Sequence, residues 1–142
     1  MKNLTTNLML AAIALAAATG VASAQQLKAE IPFSFRAQGM MAPAGTYTVR
    51  KDTTGGVPKF LLRSVASGDS ILLMSMIQGD PNKAWEASGA AVLEFECGDS
   101  GCALNRLWSG RGAPAYRFSH PKAEKGERAH LAVIRLALSK SN

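Results

Sequence analysis

The sequence predicts an all-β protein: a single antiparallel β-sandwich or small barrel of about seven or eight strands, with at most one short helix near 121–129. Three observations point there. Apolar and polar residues alternate over short stretches. Turn residues separate those stretches at regular intervals. A chain of 142 residues, 47% apolar and 18% charged, is long enough for one hydrophobic core and too short for two.

Residues 1–24 read as an export signal. Lys2 supplies the positive start, Leu8 to Ala18 the apolar run, and Ala22-Ser23-Ala24 the small-residue cleavage pattern, which places the cut before Gln25. The run spans about 11 residues where a membrane-crossing helix needs about 20, so no transmembrane segment is expected in the mature chain. No Cys follows the cut, so the usual acceptor for a lipid anchor is missing. Residues 25–142 are expected to form a single β-rich domain in the periplasm or outside the cell.

The strands follow in order. Over Ala29 to Arg36, Ile31, Phe33 and Phe35 face one way while Glu30, Ser34 and Arg36 face the other. Pro32 marks this as an edge strand, because proline donates no ladder hydrogen bond. Pro43-Ala44-Gly45 turns the chain into Thr46 to Lys51, with Tyr47 and Val49 inward. Phe60 to Val65 and Ile71 to Ile77 form a hairpin around Ser67-Gly68-Asp69. The second of these is apolar on both faces, so it is either central or leaves a sticky side. Gly79 to Gly89 reads as the longest irregular segment. Ala91 to Cys97 sets Leu93, Phe95 and Cys97 against Glu94 and Glu96, and Cys102 to Trp108 returns beside it. A weaker strand is expected over Ala115 to Phe118, and the charged stretch Pro121 to Arg128 is the place for a short helical turn. In His130 to Leu138, Val133, Ile134 and the short length favour a closing strand over a helix.

Few residues suggest chemistry. Cys97 and Cys102 flank Gly98-Asp99-Ser100-Gly101 at a hairpin tip, where opposed residues meet disulfide geometry; export favours oxidation, and a structural disulfide is expected. The C-x4-C spacing fits neither a redox motif nor a zinc site, so no metal and no cofactor is expected. The loop resembles the nucleophile segment of chymotrypsin-like serine proteases, but that family's His and Asp precede its Ser, whereas His120 and His130 follow Ser100. Cys102 also stands where that family has Gly. No catalytic residue is assigned. The enzyme alternative, acting on an envelope polymer, would use His120 or His130 as base with Glu94 or Glu96 nearby.

Charge is uneven along the mature chain. Its 15 basic and 10 acidic groups give +5; residues 25–102 hold 7 basic and 8 acidic groups, residues 103–142 hold 8 and 2. A basic end attracts an anionic partner over about one Debye length, ~8 Å at physiological salt. Arg106, Trp108, Arg111, Tyr116 and Arg117 interleave cations with rings and form the candidate ligand-binding set. In an exported chain, the partner expected is an anionic envelope component or another protein, and no nucleic acid.

The segments Ile31-Pro32-Phe33-Ser34-Phe35, Pro43-Ala44-Gly45-Thr46-Tyr47-Thr48-Val49, Leu61-Leu62-Arg63-Ser64 and the charged Pro121 to Glu127 together resemble uncharacterised small exported β-rich proteins of acidobacterial-type soil bacteria. This chain differs in Met41 before the turn and in its Cys97–Cys102 hairpin. The resemblance implies a β fold and export, and brings no catalytic residues. The expectation is a non-enzymatic module of the cell envelope that binds or assembles through its surface.

Overall fold

The computed structural model describes residues 26–75, 77–121, 126 and 128–139. The export signal with its cut site, and most of the stretch read as a short helical turn near 121–129, lie outside the described residues. In chain order the elements are β1 (Gln26–Ile31), β2 (Phe35–Ala37), β3 (Met40–Ala42), β4 (Gly45–Asp52), β5 (Lys59–Ser64), β6 (Ser70–Met74) and β7 (Ile77–Gly79). Helix α1 (Lys83–Ser88) follows, then β8 (Val92–Gly98), β9 (Gly101–Trp108), β10 (Ala115–Arg117), β11 (His130–Arg135) and β12 (Ala137–Leu138).

The strands form two sheets and no closed barrel, so the sandwich is the architecture adopted. The five-stranded sheet has the order β12-β1-β4-β5-β6, all antiparallel. The seven-stranded sheet runs β11-β8-β9-β10-β7, and β2, carrying β3, pairs parallel to β9. One edge of β9 is therefore shared: β2 takes Cys102 and Ala103, and β10 takes Arg106 to Trp108.

Twelve short strands appear among the described residues because three of the eight segments read as strands are each cut where the chain passes from one sheet to the other, and β3, outside all of those segments, is the twelfth. Pro32 does not lie in an edge strand as its missing N–H suggested. It is the first residue after β1, itself held between β12 and β4, and the same lack of a donor ends the ladder there. The stretch from Ile71 breaks after Met74, where the Ser75 hydroxyl lies 2.8 Å from the Ile77 carbonyl and 2.7 Å from that of Arg117. At the third passage Leu136 is buried and its N–H donates to the Ala91 carbonyl at 2.8 Å. Strand β6 is the outermost of its sheet, so its second apolar side, Leu72 and Met74, faces outward uncovered.

The two inner faces meet in one core. Phe35 is fully buried and makes edge-on contacts with Tyr47 of the first sheet and Phe95 of the second, both with ring centroids 5.3 Å apart. Phe60 and Tyr116 repeat the arrangement further along, at 4.9 Å. Such ring pairs contribute about 0.5–1.5 kcal/mol each beyond the area they bury.

The helix falls where the sequence reads as irregular, between Gly79 and Gly89. Asn82 caps its start, its side chain accepting from the Ala84 N–H at 2.9 Å. Gly89 ends it at φ 70°, donating to the Trp85 carbonyl at 2.8 Å. Six residues are too few to persist alone, so the burial of Trp85 against the seven-stranded sheet holds the turn in place.

Cys97 and Cys102 oppose each other in the β8–β9 ladder and form the disulfide, with Cα atoms 4.0 Å apart. The cross-link closes a loop with a sequence separation of 5, for which chain entropy gives about 2 kcal/mol. The Cys97→Ala/Cys102→Ala variant is expected to lose about that much stability in urea titration with an unchanged fold.

Tyr47 ties the preceding turn to the sheet by donating its hydroxyl to the Pro43 carbonyl. Burial first, and the Asp69 carboxylate second, hold its phenol above the ordinary range. The folded state thus favours the neutral phenol. Its contribution to stability is complete below about pH 10 and is lost as pH rises through the raised folded value. Tyr47→Phe is expected to lower the urea midpoint at neutral pH and to remove this part of the alkaline decline.

Candidate functional site

The seven-stranded sheet presents an outer face on which polar side chains converge. Cross-strand register sets Val133, Glu94, Arg106, Arg117 and Ile77 in one row from β11 to β7. Between Glu94 and Phe95 the β8–β9 register slips: Glu94 faces Arg106 whereas Phe95 faces Leu104. Asn105 is the extra residue, so a bulge places it next to Arg106 above the same carboxylate.

Glu94 is 2% exposed yet fully engaged. Its Oε1 accepts from Asn105 Nδ2 at 2.7 Å and Arg106 Nε at 2.8 Å, and its Oε2 accepts from Arg106 Nη2 at 2.8 Å. Alternation puts Glu94 on the outer face as the sequence implies, but it is buried there, not solvated. Trp85 of α1 covers the pair: the Arg106 guanidinium lies 4.5 Å from that ring's centroid, and Trp85 stacks on Trp108 at 6.5 Å. The hydrogen bonds to Glu94 hold the Arg106 guanidinium above its ordinary value, against the opposing effect of burial.

Of the candidate ligand set, Arg106, Trp108, Arg111 and Arg117 lie on the outer side of the seven-stranded sheet, Trp108 and Arg111 lining one groove with Asp80 and Glu86, and Tyr116 alone lies in the core. Trp108 is 1% exposed, and its Nε1 donates to the Ala113 carbonyl at 2.9 Å. Tyr116 points the other way, into the core against Phe60, with Lys51 Nζ 5.7 Å from its ring centroid at the rim. Arg111 is exposed and packs across Gly89, where an added Cβ would come within 2.8 Å of its Nε. Arg117 is exposed directly opposite Arg106. The three arginines thus share the outer side, and both rings serve packing.

A groove of about 160 Å³ opens beside this cluster, lined by Ser34, Arg36, Met41, Glu96 and His120 next to the disulfide. His120 Nε2 lies 3.0 Å from Asn105 Oδ1 and 3.6 Å from Glu96 Oε2; its Nδ1 lies 2.9 Å from the Pro121 carbonyl. Asn105 gives its Nδ2 to Glu94 and turns its Oδ1 to the imidazole. Both ring nitrogens therefore face protein oxygens. His130 opens β11 opposite Cys97 and is exposed, with no carboxylate within ion-pair distance among the described residues.

Trp85, an aromatic just before the basic C-terminal part of the sequence, and Asn105 stood outside the candidate set, and each had a signal. Asn82 and Gly89 bracket Trp85 as cap residues, and the inward residues Leu104 and Leu107 are three apart where strict alternation requires two. No group of three or more His, Cys, Asp or Glu side chains suited to a metal occurs among the described residues. No helix among them is long and apolar enough to cross a membrane. Comparison with family models, with curated proteins and with solved structures yields no match.

Removing Arg106 strands a buried carboxylate with Asn105 alone. Arg106→Met is therefore expected to destabilise the fold by about 3 kcal/mol, and Glu94→Gln in that background to restore part of the loss, since a neutral amide needs no cation. Paired urea titrations read both values.

Proposed function

We propose that this chain is an exported, non-catalytic β-sandwich module of the cell envelope, periplasmic or extracellular, that acts by binding through its surface. The observation that carries this reading is the mutual engagement of the groups best suited to chemistry. A general base needs a lone pair aimed at its substrate, but the His120 nitrogens face Asn105 and Pro121. Glu94 accepts three hydrogen bonds beneath Trp85. The Cys97–Cys102 bond and the signal-like N-terminus support export. The resemblance to small exported β-rich proteins agrees, and an excess of cations in the mature chain favours an anionic envelope component as partner.

Incubated with envelope material from its host, the mature protein is expected to be retained saturably and to release no soluble fragments. Absence of retention overturns the reading. So does fragment release that disappears in Glu96→Gln, which would instead make the groove beside His120 an active site.

A further inference from the structure

The two outer faces of the sandwich differ. The seven-stranded sheet is partly covered by α1, whereas no outward side chain on the central and edge strands β1, β4, β5 and β6 is buried. Register makes that bare face a grid. Asp52, Lys59 and Met74 form one cross-strand row; Gln26, Arg50, Leu61 and Leu72 the next; Lys28, Thr48, Arg63 and Ser70 the third. Glu30 and Thr46 begin a fourth, closed by Val65, whose N–H donates to the Thr46 carbonyl.

Four cations on this face, Lys28, Arg50, Lys59 and Arg63, stand against two acids, Glu30 and Asp52, and none of the four forms an ion pair with a described residue. Apolar side chains border them: Leu72, 45% exposed, and Met74, 49%, on the neighbouring edge strand β6, and Val65, 59%, just past the end of β5. Strands lie about 4.8 Å apart, so the cations are spaced for several separate phosphates, and Leu72 and Met74 flank Lys59 and Arg63 from the next strand. Aromatic rings, the usual platform for sugars, are absent from the grid.

We propose that the outer face of the five-stranded sheet binds an anionic phospholipid surface, with Arg50, Lys59 and Arg63 meeting headgroup phosphates and Leu72 and Met74 entering the interface beside them. Charge complementarity selects an acidic surface, and the apolar side chains select a bilayer over a hydrated glycan. The inference rests on the surface-binding reading above and names its partner.

Flotation of the disulfide-bonded mature protein with vesicles tests it. Binding to equimolar phosphatidylglycerol and phosphatidylcholine, absent with phosphatidylcholine alone and weakening with salt, is expected. At about fivefold per cation near a charged surface, Arg50→Ala/Lys59→Ala/Arg63→Ala should bind about 100-fold more weakly. Leu72→Ser/Met74→Ser should bind more weakly while keeping the salt dependence. All these positions are solvent-facing, and unchanged urea midpoints confirm folding. No binding to acidic vesicles, equal binding to neutral ones, or a triple variant that binds as before each overturns the proposal. Retention on envelope material without vesicle binding overturns only the lipid assignment and leaves the surface-binding module standing; loss of both removes both.

Discussion

Every passage of the chain between sheets must bury a residue at or beside the crossing, the polar Ser75 where the chain enters the exposed strand β7. A sandwich whose strands stayed in one sheet would face this demand only within strands, where the two-residue period satisfies it. Here β1 leads into β2, β3 into β4, β6 into β7 and β11 into β12 across the gap between sheets. Ile31 and Phe35 are both buried on either side of the first crossing, with Phe33 packed at its midpoint against Phe95, ring centroids 5.1 Å apart. Leu136 does the same alone at the last, buried between strands of different sheets. These crossings stitch the open sides of the sandwich, which is how many very short strands form one core.

On the outer side of the seven-stranded sheet a second requirement operates, that a buried carboxylate be matched. Burying Glu94 without partners costs several kcal/mol, and a bidentate arginine with one further donor is the least that offsets it. The bulge at Asn105 supplies the third donor by turning two consecutive residues to the same face. The same residue then reaches His120 and, through its own carbonyl, accepts the Phe118 N–H at 2.9 Å. One irregularity thus fastens β8, β9 and the segment after β10 together. The arrangement makes the polar cluster rigid and self-satisfied, which is a poor starting point for proton transfer.

The sandwich was legible because alternation survives wherever residues face a common core: Leu93, Phe95 and Cys97, or Tyr47 and Val49, are inward as their spacing requires. The strand boundaries were not, because a passage between sheets keeps the parity of the apolar residues and so leaves the pattern of Ala29 to Arg36 unbroken. Helix α1 was hidden for a different reason. A six-residue helix offers one buried position, Trp85, and no period to detect, so its caps were the only evidence. Tyr116 parts from the rest of the candidate ligand set because sequence neighbours in a strand point to opposite faces. Arg117 and Tyr116 are adjacent in the chain and lie on opposite sides of the sheet.

The same alternation governs the electrostatics, and it reverses the impression left by counting charges along the chain. Residues 25–102 are nearly neutral in sum, with 7 basic and 8 acidic groups, but their strands sort those groups by face. Lys28, Arg50, Lys59 and Arg63 emerge together on the five-stranded sheet with Glu30 and Asp52 beside them, while Asp69 and Asp99 go to turns, Glu86 to the helix and Glu94 and Glu96 to the other sheet. The strongly basic stretch after residue 102 meanwhile loses Arg106 to Glu94 and packs Arg111 over Gly89. Net charge per segment therefore does not tell which face carries the cations left without an ion pair. In a β-sandwich the unit that an external partner meets is a face, assembled from every second residue of four or five separate strands, and its charge follows from register and not from sequence distance.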